Sequence, residues 1–327
     1  MKKMVGVSLV LVLALVALFV TMAAAQERVI ATVVKLSGVN WFQRMEEGVV
    51  RYAADNGVNA FQQGPSRADA ALQVQIVEDL IAQGVDALCV VPFSAEALEP
   101  VLKKARDQKI VVVTHEASAQ QNVDYDIEAF DNAAYGVHFM DALAALMDKK
   151  GEYVVMVGSL TSKTHNEWVD AAIEHQKAHY PDMKWVGQKI ETNDDQQTAY
   201  ARTRELFKAF PDLKGFIGSS AVDVAGAGLA IEEMGLADKT AVVGTSLVSV
   251  SGQYLKTGAV DMISFWDPAE AGYAMNRVAE LVLDGQAVED GADLKVKGYE
   301  KIKLDGKVIY GQAWVDVTKD NMDQYNF

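Results

Sequence analysis

The stretch "VDALCVVPFSAEALEPVLKKARDQKIVVVTHE", residues 85–116, holds two short apolar runs on either side of a segment with helical period. The runs are apolar throughout rather than on every second residue. That is the pattern of strands covered on both faces, as in a parallel sheet with helices on each side. The same unit recurs outward in both directions. Before it come "VIATVVKL" (29–36), the helix "FQRMEEGVVRYAADNG" (42–57) ending at Gly57, "VNAFQQ" (58–63), and a helix over 69–84 stopped by Gly84.

A second series follows from about residue 130: helix 132–151, strand 152–159, helix 166–180, strand 184–190, helix 196–210, strand 215–220, helix 223–235 and strand 240–246. "AVDMISFWDP" (259–268) is another strand, a further helix occupies 269–285, and the tail reads as short strands around an Asp305-Gly306 turn. The expected fold is α/β, with two doubly wound parallel-sheet lobes joined by a hinge. The expected boundaries are 26–118 with 266–296 for the first lobe, and 119–265 with 297–327 for the second. No Gly/Ser-rich or Pro-rich linker separates them, so a cleft between hinged lobes is expected.

The first 25 residues read as a secretory signal peptide: Lys2 and Lys3, an apolar run from Val5 to Val20, and small residues at Ala23 and Ala25. The run is shorter than the roughly 20 residues a spanning helix prefers. A mature chain starting near Gln26 in a periplasm is expected. Formal charge is -15, and -17 once the two leader lysines are removed, which disfavours nucleic acid as a partner. The single cysteine, Cys89, lies in an apolar run and reads as a small buried hydrophobe.

In open α/β sheets, ligands sit outside the carboxyl ends of the strands. The strand-end loops here carry the polar and aromatic residues. "VVKLSGVNWF" (33–42) places Lys35, Trp41 and Phe42 together; the aromatics suit the C–H face of a sugar or a hydrophobic staple on the next helix. Lys35 is either a cleft residue or a snorkelling surface charge. Glu116 can accept two hydroxyls or cap a helix, and Asp267 can cap the helix opened by Pro268 while binding with its second oxygen. Trp266 precedes it as a second stacking surface. Thr164, His165 and Asn166 follow one strand of the second series, and Ser219 and Ser220 follow the next. Asp223 reads as a helix cap, and Ser246 as a weaker candidate. One histidine with no second ligand at metal spacing is a poor metal site. No phosphate loop, nucleophile elbow or zinc-protease motif is present, so catalysis, metals and cofactors are not expected.

Taken together, "KLSGVNWF", "AQGVDALCVVPFSAEALEPVLKKA", "IVVVTHE", "VVGTS" and "FWDP" resemble the type I periplasmic sugar-binding proteins of ABC transporters. The branch is that of the ribose-, rhamnose- and autoinducer-2-binding proteins, and the autoinducer-2 receptors look most similar. The resemblance implies a monomeric receptor that closes on a small ligand and docks on a membrane permease. It implies ligand contacts at Lys35, Glu116, Thr164, His165, Ser219, Ala221 and Asp267. The autoinducer-2 receptors have Asp where Glu116 stands, Asp-Gln at Thr164-His165 and Pro at Ser219. Those departures favour a neutral monosaccharide or polyol, with autoinducer-2 reception, or sensing for a chemoreceptor or kinase, as the alternative.

Overall fold

The computed structural model describes residues 28–327; the signal-peptide reading of residues 1–25 lies outside them. The first sheet contains β1 (Val29–Val33), β2 (Asn59–Gln63), β3 (Ala87–Val90), β4 (Val111–His115), β5 (Tyr125–Glu128), β12 (Lys303–Asp305) and β13 (Val308–Tyr310). Their order is β12-β13-β5-β4-β3-β1-β2, parallel except for the β12–β13 hairpin. The hairpin turns at Gly306, whose φ of 60° is open to glycine without a Cβ clash. β3 and β4 are buried along their whole length, which is why the sequence shows them as unbroken apolar runs.

Helices α1 (Asn40–Asn56), α2 (Ala70–Gln83) and α3 (Ala95–Asp107) alternate with these strands. Asp69 caps α2 through the amides of Ala71 and Leu72, and Ser94 caps α3 through Ala97.

The second lobe begins with α4 (Asn132–Leu146) and β6 (Gly151–Val157). Then come α5 (Lys163–His179), β7 (Met183–Trp185), β8 (Ile190–Glu191), α6 (Gln196–Ala209), β9 (Leu213–Gly218), α7 (Asp223–Glu233), β10 (Ala241–Thr245), α8 (Val248–Thr257) and β11 (Met262–Phe265). The strand order is β14-β11-β10-β9-β6-β7, with β8 also on β6 and β14 (Val315–Val317) antiparallel to β11. The sequence read 184–190 as one strand; the chain instead leaves the sheet between β7 and β8.

After β11 the chain returns to the first lobe as α9 (Pro268–Leu283) and packs on α1 backbone to backbone. A Cβ on Gly48 would collide with the carbonyl of Ala269, and one on Gly272 would lie 2.8 Å from the Met45 oxygen. Glycines at both contacts let the helices meet this closely.

The lobe boundaries differ from those read in the sequence. β5 lies parallel to β4 in the first sheet, and β13 lies parallel to β5. So residues 125–128 and 303–310, assigned by sequence to the second lobe, belong to the first sheet. The physical reason is the composition of β5. "YDIE" looks like loop, but Asp126 is buried because its Oδ1 accepts from the Thr114 hydroxyl at 2.7 Å and the Ala117 amide at 3.1 Å. The chain therefore passes between sheets at 129–131, 266–267 and 311–314.

Candidate functional site

The carboxyl ends of the parallel strands of both sheets face a cavity of about 400 Å³. On the first-lobe side, β1 delivers Lys35, and the first turn of α1 delivers Trp41 and Phe42. Trp41 meets Trp266 edge to face, with ring centroids 4.7 Å apart at 74°. Trp266 is fixed in turn, since its indole N–H donates to Nε2 of His115 at 3.3 Å. The other His115 nitrogen donates to the Ile127 carbonyl at 2.6 Å, so this imidazole is neutral; burial pushes its pKa below the ordinary value. Trp266 also lies edge-on to Trp168 of α5, which lines the second-lobe side.

Glu116 directly follows β4 with φ at 60°, a left-handed conformation that costs a non-glycine residue about 1–3 kcal/mol. That conformation turns the chain out of the strand, and the Glu116 carboxylate lies 4.0 Å from the Lys35 ammonium. Across the cavity, Asp194 lies 3.5 Å from the same ammonium. Burial alone would lower the Lys35 pKa, but the charges of Asp194 and Glu116 outweigh it and hold Lys35 protonated above the usual lysine value. Burial likewise opposes the charge on Asp194, yet Lys35, His165 and the Ser220 hydroxyl keep its carboxyl below the usual range.

His165 sits in the first turn of α5, where Nδ1 accepts the Gly158 amide at 3.2 Å. Its proton is therefore on Nε2. Burial and the nearby Lys35 charge push its pKa to about 4, so it faces the cavity as a neutral donor. Ser219 and Ser220 follow β9. The Ser220 hydroxyl donates to Asp194 at 2.6 Å, whereas the Ser219 hydroxyl is shut from solvent without a hydrogen-bond partner. Ala221 lines the cavity beside them, with Thr245, Gln196, Ser249 and Gln253 completing the second-lobe wall.

Of the residues singled out in the sequence, nine line this cavity: Lys35, Trp41, Phe42, Glu116, His165, Ser219, Ser220, Ala221 and Trp266. Four candidates, Thr164, Asn166, Asp267 and Ser246, do not, and each is committed elsewhere. Thr164 donates to Glu128 of β5 at 3.3 Å and ties the two lobes together. The Asn166 amide donates to the carbonyls of Ser159 and Ser162 while its oxygen accepts from Lys189, which fixes the loop before α5. Asp267 caps α9 through the Ala269 amide, and both its oxygens accept from Arg44. The expectation that one oxygen would remain for a ligand is thus corrected.

Asp223 accepts from the amides of Ser219 and Ser220 and from Thr192, holding the serine turn. Ser246 donates to the Ala221 carbonyl and supports the same turn. Asp194, Thr245, Gln196, Trp168, Ser249 and Gln253 were not singled out by sequence. Among the described residues, no group of His, Cys, Asp and Glu could hold a metal ion.

Burial pushes the Asp223 carboxyl up to about 7 despite its three donors. The folded state therefore keeps a proton that the unfolded chain releases near 4, and this contribution to stability is lost as pH rises through 7. Thermal unfolding should show stability falling between pH 5 and 8, with Asp223→Asn flattening part of the slope; an identical slope in the variant would contradict the assignment.

A model of the periplasmic binding protein domain matches residues 30–287. The chain is 27% identical over 258 residues to the D-ribose/D-allose-binding protein of Pseudomonas aeruginosa, covering 71% of this chain and 74% of that protein. It is 26% identical over 283 residues to the xylitol-binding protein of Mycolicibacterium smegmatis, covering 85% and 74%. In three dimensions it resembles an ABC transporter solute-binding protein from Clostridium phytofermentas solved with L-rhamnose, with a TM-score of 0.85 at 21% identity, over 92% of this chain and 98% of that one.

Proposed function

The chain belongs to the periplasmic binding protein family, and from that premise we propose that it captures a small neutral sugar or polyol in the cleft and delivers it to an ABC transporter permease. It is a binding protein, not an enzyme. One observation carries the ligand class: a cleft cavity lined by three indoles, those of Trp41, Trp168 and Trp266, and by polar groups from both lobes, among them Ser220 and the neutral His165. Such a lining suits a molecule with an apolar C–H face and a rim of hydroxyls. The ribose/allose- and xylitol-binding relatives support the same class.

Closure follows from the placement of the contacts. Loops from both lobes gain ligand only when the cleft is shut, so ligand draws the open–closed equilibrium toward the closed form. Micromolar affinity needs about 8 kcal/mol, within reach of a few charge-assisted hydrogen bonds and one stacked ring after the costs of association. Calorimetric titration with ribose, allose, xylose, xylitol, rhamnose and autoinducer-2 tests the reading. One of the neutral sugars or polyols should bind in one-to-one stoichiometry. Trp41→Ala should weaken it about tenfold, the loss expected of one aromatic contact. No binding across the panel, or a Trp41→Ala variant of unchanged affinity, would count against it.

A further inference from the structure

A buried lysine in a binding cleft is a ready receptor for carboxylates and phosphates. Lys35 is the one Lys or Arg among the described residues that line this cavity. Its ammonium is nevertheless held between two carboxylates, Glu116 from its own lobe and Asp194 from the other.

Asp194 occupies that place through several independent constraints. Asn193 and Asp194 both have left-handed backbones, with φ of 57° and 52°, a conformation that Asn and Asp adopt more readily than other residues bearing a side chain. The carboxylate lies directly over Gly158, where any Cβ would collide with it. Ser220 donates to Oδ1 at 2.6 Å, leaving Oδ2 toward Lys35. Neighbouring Asp195, at the cavity's edge, instead caps α6 through Thr198. The loop between β8 and α6 thus sets a carboxylate against a lysine of the opposite lobe.

We infer that Asp194 is a specificity-determining residue: by neutralising Lys35 across the cleft, it restricts the site to uncharged polyhydroxyl compounds and excludes their carboxylated and phosphorylated counterparts. The inference rests on the reading of the cleft as a site for small polyhydroxyl ligands. An incoming carboxylate would meet Asp194 and Glu116 around the single ammonium. Like charges among side chains this buried repel strongly, and a repulsive element of this kind gives specificity without adding a contact. A neutral hydroxyl, in contrast, can donate to either carboxylate and accept from Lys35 at once.

The test compares neutral sugars with their acids in the wild type and in Asp194→Asn: ribose with ribonate, xylose with xylonate, rhamnose with rhamnonate, and galactose with galacturonate, by calorimetry. The wild type should bind at least one neutral member, and bind it at least tenfold more tightly than its acid. In Asp194→Asn the same acid should gain at least tenfold over its wild-type affinity, while Asp194→Glu, which keeps the charge, should still exclude it. If Asp194→Asn does not fold, Glu116→Gln removes one unit of charge from the other side of Lys35 and should admit the acid by the same factor. Acid affinity unchanged in the folded variant, acid admitted equally by Asp194→Glu, or a wild type that prefers acids would each overturn the inference. A wild type that binds no member of any pair would instead overturn the reading of the cleft itself.

Discussion

Lys35→Met should lower ligand affinity roughly ten- to hundred-fold, the range for losing one charge-assisted hydrogen bond of about 1.5–3 kcal/mol. It should also destabilise the fold. Lys35 and Asp194 have side chains only 7% and 9% exposed, and removing one partner of a buried pair costs about 3–5 kcal/mol because the other charge is stranded. The pH dependence separates this from simple loss of packing. In the wild type the Asp194 carboxyl is held below its ordinary value, so its contribution is present above the unfolded carboxylate range and lost only as pH falls through the folded pKa. Lys35 is held above its ordinary value, so its contribution is lost only as pH rises through that raised pKa. Between those limits the pair adds no slope of its own.

Without Lys35, burial dominates at Asp194, and the folded state gains by taking up a proton there. Lys35→Met should therefore recover stability relative to wild type as pH is lowered from 8 to 5. Urea unfolding at the two pH values measures it. A deficit that is the same at both would show that the ammonium was not what kept Asp194 charged.

Trp266→Ala should cost about 3–5 kcal/mol, the usual range for emptying a buried tryptophan site. Trp266 is 1% exposed and touches Trp41, Phe130, Trp168 and His115 at the point where the chain crosses between the sheets. Trp266→Phe keeps much of the packing but strips His115 of its donor, so a smaller loss of about 1–3 kcal/mol is expected. The midpoint of urea unfolding should follow that order, with an unchanged slope. A loss below about 1 kcal/mol for Trp266→Ala would mean that this aromatic junction does not hold the lobes, against the cavity cost expected of it.

The parts of this account legible in the sequence are those where a single residue type has one physical use. Gly57 and Gly84 end their helices in left-handed conformations, with φ of 64° and 76°. Trp41 and Phe42 open α1 into the cleft, and Ser219 and Ser220 line it because an apolar strand delivers them to its carboxyl end. Asp267 was legible as a cap for the same reason, but its second oxygen was not. Arg44 lies 223 positions away in sequence, and nothing local announces that it will take both oxygens.

Asp194 was missed because β8 before it is only two residues long and lacks the apolar run that marks a strand end. In "ETNDD" no local signal separates Asp194, which turns inward over Gly158, from Asp195, which caps the next helix. The lobe boundaries failed at β5 for a related reason. Two of its four residues are carboxylic acids buried by long-range hydrogen bonds, and long-range partners leave no periodicity.

Native mass spectrometry of the protein purified without denaturation is the most direct measurement of whether the two lobes enclose a small hydroxyl-rich molecule. A single one-to-one adduct with the mass of a neutral sugar or polyol is expected, either as isolated or after incubation with the sugar panel, and it should be lost in Lys35→Met. A protein that remains bare under both conditions, or whose adduct persists undiminished without Lys35, would contradict the account.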